Sequence, residues 1–293
     1  MPAAQNAPQN PAPEPAGATG TAPALYAVPA PAPGPRVTIG VSLKMYFGHH
    51  ETLNWARSIA SLAARHPAVT GGTAELFVLP AFPALVPVTG ILAGTEVRTG
   101  AQDLATDDSG PYTGEVSGAH LREIGARYAE VGHAERRRLF GEGDTVVAAK
   151  TAAALRNGLA PVLCVGELDQ VAPAEAAART VAEAERILAT AAHEGPLAPV
   201  VLAYEPQWAI GAPRPASPGH IRTVCEALTA WLATQPALAG SRVIYGGSAG
   251  PGLLTELGTG VDGLFLGRFA HDPAAVGRIL DETLEGALPC PTA

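Results

Sequence analysis

Cysteine is scarce. Cys164, Cys225 and Cys290 are the three in 293 residues, too few and too far apart for a disulfide framework or a zinc site, which fits a reducing compartment. Positive charge is in deficit, with 19 Lys and Arg against 27 Asp and Glu and a formal net charge of -8. Scattered cations on an acidic chain offer no basic face to nucleic-acid phosphates or anionic lipid, so neither is expected as a partner. Any anionic substrate must be held locally. No run of about 18 apolar residues occurs, and the first residues lack the charged and then apolar regions of a secretory signal. The expectation is a soluble, cytoplasmic protein without a membrane segment. A Gly-x-Gly-x-x-Gly after the first strand-like run is also missing, and Ser42-Leu43-Lys44-Met45-Tyr46 stands there instead. That disfavours a doubly wound nucleotide-binding sheet.

Residues 1–35 hold ten prolines, eleven alanines and one acid, Glu14. Such a composition buries too little surface to offset chain entropy, so this segment is read as a disordered tail and residues 36–293 as one folded domain. Within that domain, short apolar runs alternate with longer helical patterns. The strand-like runs are Val37–Leu43, Glu75–Leu79, Thr95–Ala101, Tyr128–Val131, Pro161–Val165, Val200–Tyr204, Val243–Tyr245 and Gly263–Leu266. Helical spacing marks Thr52–Ala64, Asp144–Arg156, Ala174–Ala192, Ile221–Ala233 and Pro273–Leu284. Near-continuous apolar strands alternating with helices argue for parallel pairing, and eight such units have the size of a closed (β/α)8 barrel.

Catalytic groups in that architecture come from the C-terminal ends of strands. The first strand ends toward Lys44 after Ser42, the fourth toward His133, and the sixth toward Glu205. Tyr245-Gly246-Gly247-Ser248 and Leu266-Gly267-Arg268 close the last two strands, where exposed backbone N–H groups make a phosphate cradle. A Lys, a His and a Glu beside such a cradle, with no metal cluster, suit proton shuttling on a small phosphorylated carbonyl compound. Glu205 is the candidate base, which requires a dry carboxylate with a raised pKa. His133 is the candidate electrophile, kept neutral by the helix that begins after it. Lys44 is the candidate partner of enediolate charge. No cofactor is needed when the intermediate is an enediol. Cys164 reads as core, and His49, His50, His66, His120, His193, His220 and His271 as surface or packing groups.

Five strings together carry a likeness: Ser42-Leu43-Lys44-Met45, Gly132-His133-Ala134-Glu135-Arg136-Arg137, Leu163-Cys164-Val165-Gly166-Glu167, Tyr204-Glu205-Pro206-Gln207-Trp208-Ala209-Ile210-Gly211 and Tyr245-Gly246-Gly247-Ser248. In order and at the right strand ends, they make the domain from about residue 37 onward resemble triosephosphate isomerase. The resemblance implies a TIM barrel, and its division of labour between a Glu base, a neutral His and a closing lid is the known one for that family. It also implies a lid over residues 206–217, a phosphate contact from Gly211, a Lys44–Glu135 ion pair, and a homodimer formed through the loop at 103–117. The implied substrates are dihydroxyacetone phosphate and glyceraldehyde 3-phosphate.

Departures from the family pattern collect at one end of the site. Ser42 stands where the family usually has Asn, Arg268 where a second glycine is usual, and Ala134 where a serine is common. The lid reads Ala212-Pro213-Arg214-Pro215-Ala216, and Pro213 has no N–H to give Ser248 on closure. Ser42, the Leu264–Arg268 turn and Pro215-Ala216-Ser217 are similar to the tetrulose-phosphate isomerase branch. A tetrulose phosphate is therefore the alternative substrate. A barrel that binds a phosphometabolite without turnover is a third reading.

Overall fold

The computed structural model describes residues 37–211 and 215–285. The segment read as a disordered tail, and Ala212, Pro213 and Arg214 of the lid, lie outside the described residues. Eight strands form: β1 (Val37–Ser42), β2 (Ala74–Leu79), β3 (Arg98–Ala101), β4 (Tyr128–Val131), β5 (Ala160–Val165), β6 (Val201–Tyr204), β7 (Arg242–Tyr245) and β8 (Gly263–Leu266). They are hydrogen-bonded in sequence order, all parallel, and β8 returns to β1 to close the barrel. The third strand begins later than the apolar run suggested. Thr95 is held in a turn, its hydroxyl donating to the Leu92 carbonyl and accepting the Val97 N–H, so pairing starts only at Arg98.

The strands are apolar on both sides because each side meets a different core. Inside the barrel, Phe77, Leu79, Tyr128, Val162, Cys164, Val201, Ala203, Ile244 and Phe265 pack together, as alternating side chains of a parallel barrel must. Phe77 stacks on Tyr128 with ring centroids 4.2 Å apart. Gly40 makes room for this layer, since a Cβ there would lie 2.3 Å from Phe77 and 2.8 Å from Phe265. Outside, Ile39, Val41, Leu76 and Val78 join the larger cluster that faces the helices. Each such buried aliphatic contributes roughly 1.5–3 kcal/mol.

The covering helices follow amphipathic spacing. The helix Pro173–Ala191 buries Ala177, Thr180, Ala184, Ile187, Leu188 and Ala191 along one stripe, the width a barrel-facing helix needs. Its first turn tolerates Pro173 because the missing N–H has no helical partner in any case. The helix Pro218–Leu232 starts on Ser217, whose hydroxyl accepts the His220 N–H, a cap that fixes where the lid segment ends. Among the described residues no helix is long and apolar enough to cross a membrane.

Candidate functional site

The side chains foreseen at the strand ends meet at the C-terminal mouth of the barrel. A cavity of about 590 Å³ opens there, walled by Ser42, Lys44, His133, Glu205, Ser248 and Arg268 among others. Lys44 follows β1 with φ 51°, a left-handed backbone that is rare for a residue with a Cβ. Gln102 braces this turn by donating from Nε2 to the carbonyls of Lys44 and Leu79, at 3.1 and 2.9 Å. Strain held this way marks a residue whose position is constrained. The result is that Lys44 Nζ lies 2.7 Å from Nε2 of His133 and 3.6 Å from Glu135 Oε2. The Lys44–Glu135 pair is thus present.

His133 caps the helix Ala134–Phe140, and its Nδ1 accepts the Glu135 N–H at 3.2 Å. An accepting Nδ1 puts the single imidazole hydrogen on Nε2. Nε2 of His133, the Lys44 ammonium and the Glu205 carboxyl all face the cavity, with Nε2 2.7 Å from Nζ and 3.5 Å from Oε2. Burial, then the positive charges of Lys44 and Arg136, lower the His133 pKa to about 3, so the ring is neutral across the physiological range.

Glu205 follows β6, its N–H bonded to the Val165 carbonyl at 2.8 Å. It is 4% exposed. Its Oε2 makes no hydrogen bond and lies 3.5 Å from His133 Nε2. Burial raises its pKa to about 8, against the pull of Lys44 and with the help of Glu130. Gly246 permits this placement, because a Cβ there would come within 2.8 Å of Glu205 Cγ and 2.9 Å of Oε1. Burial also acts to lower Lys44, but the negative charges of Glu130, Glu205 and Glu135 outweigh it and raise its pKa overall.

Gly211, Ser248, Gly267 and Arg268 line the same cavity, on the side of β6, β7 and β8. Ser248 also has a left-handed φ of 51°, and its hydroxyl donates to the Ala209 carbonyl at 3.0 Å. Arg268 Nη2 stands 3.4 Å from the Gly211 carbonyl across the mouth. Tyr245 and Gly247, read from sequence as supporting residues of the glycine-rich turn after β7, also tie that turn to the lid. Tyr245 is fully buried and its hydroxyl accepts the Ala216 N–H at 3.1 Å. An added Cβ on Gly247 would lie 2.5 Å from that hydroxyl.

Two residues escaped the sequence reading. His220 is no bland packing group, since its Nε2 lies 3.1 Å from Glu167 and 2.9 Å from the Tyr204 hydroxyl. Glu167 also accepts from Trp208 Nε1 at 2.8 Å, which ties the lid's first hinge to the barrel. Glu130 is the second. It sits in β4, 3% exposed, and its Oε2 accepts the Ser42 hydroxyl at 2.8 Å. The signal was an acid in an apolar strand, Tyr128-Ala129-Glu130-Val131, at a position that strand alternation turns inward with Tyr128.

Comparison with known proteins agrees with this geometry. The family model described as triosephosphate isomerase matches residues 37–283. The L-erythrulose-1-phosphate isomerase of Pectobacterium atrosepticum is 55% identical over 247 residues, covering 84% of this chain and 95% of that protein. The triosephosphate isomerase of Symbiobacterium thermophilum is 40% identical over 241 residues, 78% of this chain and 91% of that protein. That of Mycobacteroides abscessus is 41% identical over 238 residues, 78% and 89% respectively. With eight parallel strands in a closed barrel and a family match across nearly all of it, the chain belongs to the triosephosphate isomerase family.

Proposed function

We propose that the protein isomerises erythrulose 1-phosphate, a four-carbon ketose phosphate, through an enediolate. The observation that carries the substrate over a triose phosphate is the 55% identity to an L-erythrulose-1-phosphate isomerase, against 40% and 41% to two triosephosphate isomerases. The chemistry rests on Lys44, His133 and Glu205 around one cavity. This substrate carries its ketone on C2, the phosphate ester on C1, a carbinol hydrogen on C3 and a hydroxymethyl group as C4. It is dihydroxyacetone phosphate with a hydroxymethyl group added at the carbon that loses its proton.

Glu205 takes the proton from C3, and the C3–H electrons form the C2=C3 double bond while the carbonyl electrons move onto O2. Lys44 and the Nε2–H of His133 meet that developing oxyanion. His133 then passes a proton from O3 to O2, and Glu205 returns the first proton to C2. The ketone now stands on C3. A single carboxyl on one face returns the proton to the side it came from, so carbonyl transfer is expected and inversion at C3 is not. The phosphate is assigned to Gly211, Ser248, Gly267 and Arg268, where a guanidinium adds charge-assisted bonds to the backbone cradle. The reaction is ketose to ketose, whereas a triose substrate would make it aldose to ketose.

The experiment is turnover of L-erythrulose 1-phosphate in D₂O followed by NMR, beside kcat/KM for dihydroxyacetone phosphate. Deuterium at the reacting carbons and a preference above about tenfold for the tetrulose support the proposal. A preference of that size for the triose overturns it in favour of triosephosphate isomerisation, and binding without turnover favours the non-catalytic reading. The homodimer through residues 103–117 belongs to the same proposal. Tyr112 in that loop is 46% exposed and Met45 beside the site is 92% exposed, apolar surface that a second copy would cover. Sedimentation at twice the 29.7 kDa of one chain tests it.

A further inference from the structure

Ser42 and Glu130 form a hydrogen-bonded pair that spans the barrel interior between β1 and β4, two strands that are not neighbours. Ser42 ends β1 and Glu130 lies one residue before the end of β4. Both are therefore deeper than Lys44, His133 and Glu205, which follow the strand ends, and deeper than the loop residues Gly211, Ser248 and Arg268. The pair sits at the floor of the cavity and the cradle at its rim. Beneath it the interior is apolar. A carboxyl group placed there costs folding free energy that an aliphatic side chain would not. In the enediolate chemistry assigned to Lys44, His133 and Glu205 it carries no proton and touches no reacting atom, acting only through its charge on Lys44 and Glu205.

The direction of the bond decides what the floor offers. With the Glu130 carboxylate ionised, the Ser42 hydroxyl hydrogen is spent on its Oε2, so Ser42, which lines the cavity, presents oxygen lone pairs to a ligand. An amide side chain there would instead present N–H groups. A floor that accepts hydrogen bonds and is walled by a short side chain fits a small group ending in O–H. We propose that Ser42 and Glu130 form the subsite for the terminal hydroxymethyl group of a tetrulose phosphate, with Ser42 touching it and Glu130 acting as the positioning residue that holds the Ser42 hydroxyl as an acceptor. This rests on the tetrulose reading above and names the part of the site that selects the fourth carbon.

The test compares the wild type with Ser42→Ala, Glu130→Leu, Glu130→Gln and the Ser42→Ala/Glu130→Leu double variant. For each, kcat/KM is measured with L-erythrulose 1-phosphate and with dihydroxyacetone phosphate, or the inhibition constant of the latter where its turnover is slow. The charge of Glu130 acts on Lys44 and Glu205 whatever the substrate, so that influence cancels in the ratio. The ratio is expected to fall at least tenfold in Ser42→Ala and Glu130→Leu, mainly through KM for the tetrulose. Glu130→Gln, whose amide oxygen still accepts from Ser42, should recover part of it. The double variant should fall no further than the worse single one. Circular dichroism identifies any variant that fails to fold, and Ser42→Ala carries the test alone if Glu130→Leu does. A wild type active on the tetrulose whose ratio stays within threefold in Ser42→Ala overturns the subsite and leaves the proposed function standing. A wild type that does not turn over the tetrulose removes the proposed function, and the subsite with it.

Discussion

Lys44 Nζ lies 2.7 Å from His133 Nε2, and the closeness of these two groups governs the charge state of the site. A second positive charge on the imidazole would face the ammonium at contact distance in a buried setting, where Coulomb repulsion is poorly screened. Glu130, Glu205 and Glu135 keep Lys44 charged, and burial together with Lys44 keeps His133 neutral. The helix cap at Nδ1 then fixes which nitrogen carries the hydrogen.

The ¹⁵N resonances of His133 should show no titration between pH 5 and 8, because its pKa is held near 3. Burial is the main cause, and Lys44→Ala removes one of the two positive charges that add to it, so the midpoint should move upward. A wild-type midpoint near 6.5 would refute the neutral electrophile.

Gly246→Ala tests whether the placement of Glu205 depends on a missing side chain rather than on phosphate binding alone. The new methyl group would come within 2.8 Å of Glu205 Cγ, which displaces the proposed base by a fraction of an ångström or more. Misplacement on the scale of 1 Å costs about a hundredfold in rate. The expected result is a fall in kcat of about tenfold to a hundredfold with the fold intact by circular dichroism. A variant that loses affinity for inorganic phosphate while kcat is retained would count against this account.

The barrel was legible because its strands are buried on both faces and so read as apolar runs, from Val37 to Leu266, separated by helical spacing. Strand ends then pointed to Lys44, His133 and Glu205 without any knowledge of side-chain contacts. Boundaries set by a side chain in a turn, as at Thr95, were not legible, since an apolar run does not reveal where hydrogen bonding begins. Tyr245 and Gly247 were read as supporting residues of the glycine-rich turn, but the bond from the Ala216 N–H to the Tyr245 hydroxyl, which joins that turn to the lid, was not legible because Ala216 is far away in sequence. Glu130 and His220 lay hidden for a like reason: their partners Ser42 and Glu167 are 88 and 53 residues distant.

Glu130→Leu should stabilise the protein, and more so at alkaline than at acidic pH. Burial, opposed by Lys44 and Ser42, raises the Glu130 pKa to about 7 in the fold, from 4.5. The folded protein therefore holds a proton that the unfolded chain has released between those values. The contribution is whole below about pH 4.5 and is lost as pH rises through about 7. Leucine does not titrate, so the variant should melt several degrees above the wild type at pH 8 and the gap should narrow at pH 5. Each kcal/mol corresponds to about 2–4 °C in a chain of this size. A gap that widens on acidification would contradict the assignment.

Arg268→Gly restores the glycine usual in the family and removes the cation at the rim. The guanidinium lies 3.4 Å from the Gly211 carbonyl, so it bridges the eighth strand's turn and the start of the lid. A phosphate dianion in the cradle would attract it more strongly than a neutral carbonyl does, since it adds an opposite full charge and two oxygens that a guanidinium can grip bidentately. The residue is exposed, and its attraction is therefore screened by salt. The expected result is a rise of about tenfold in the inhibition constant of inorganic phosphate and in KM for sugar phosphates at low ionic strength. The difference from the wild type should shrink as salt is added, and kcat should change less than KM because Arg268 is assigned to the phosphate and not to proton transfer. Should KM and its salt dependence match the wild type, Arg268 holds the lid rather than the phosphate, and the altered turn would then act on lid opening, visible as a change in kcat with solvent viscosity.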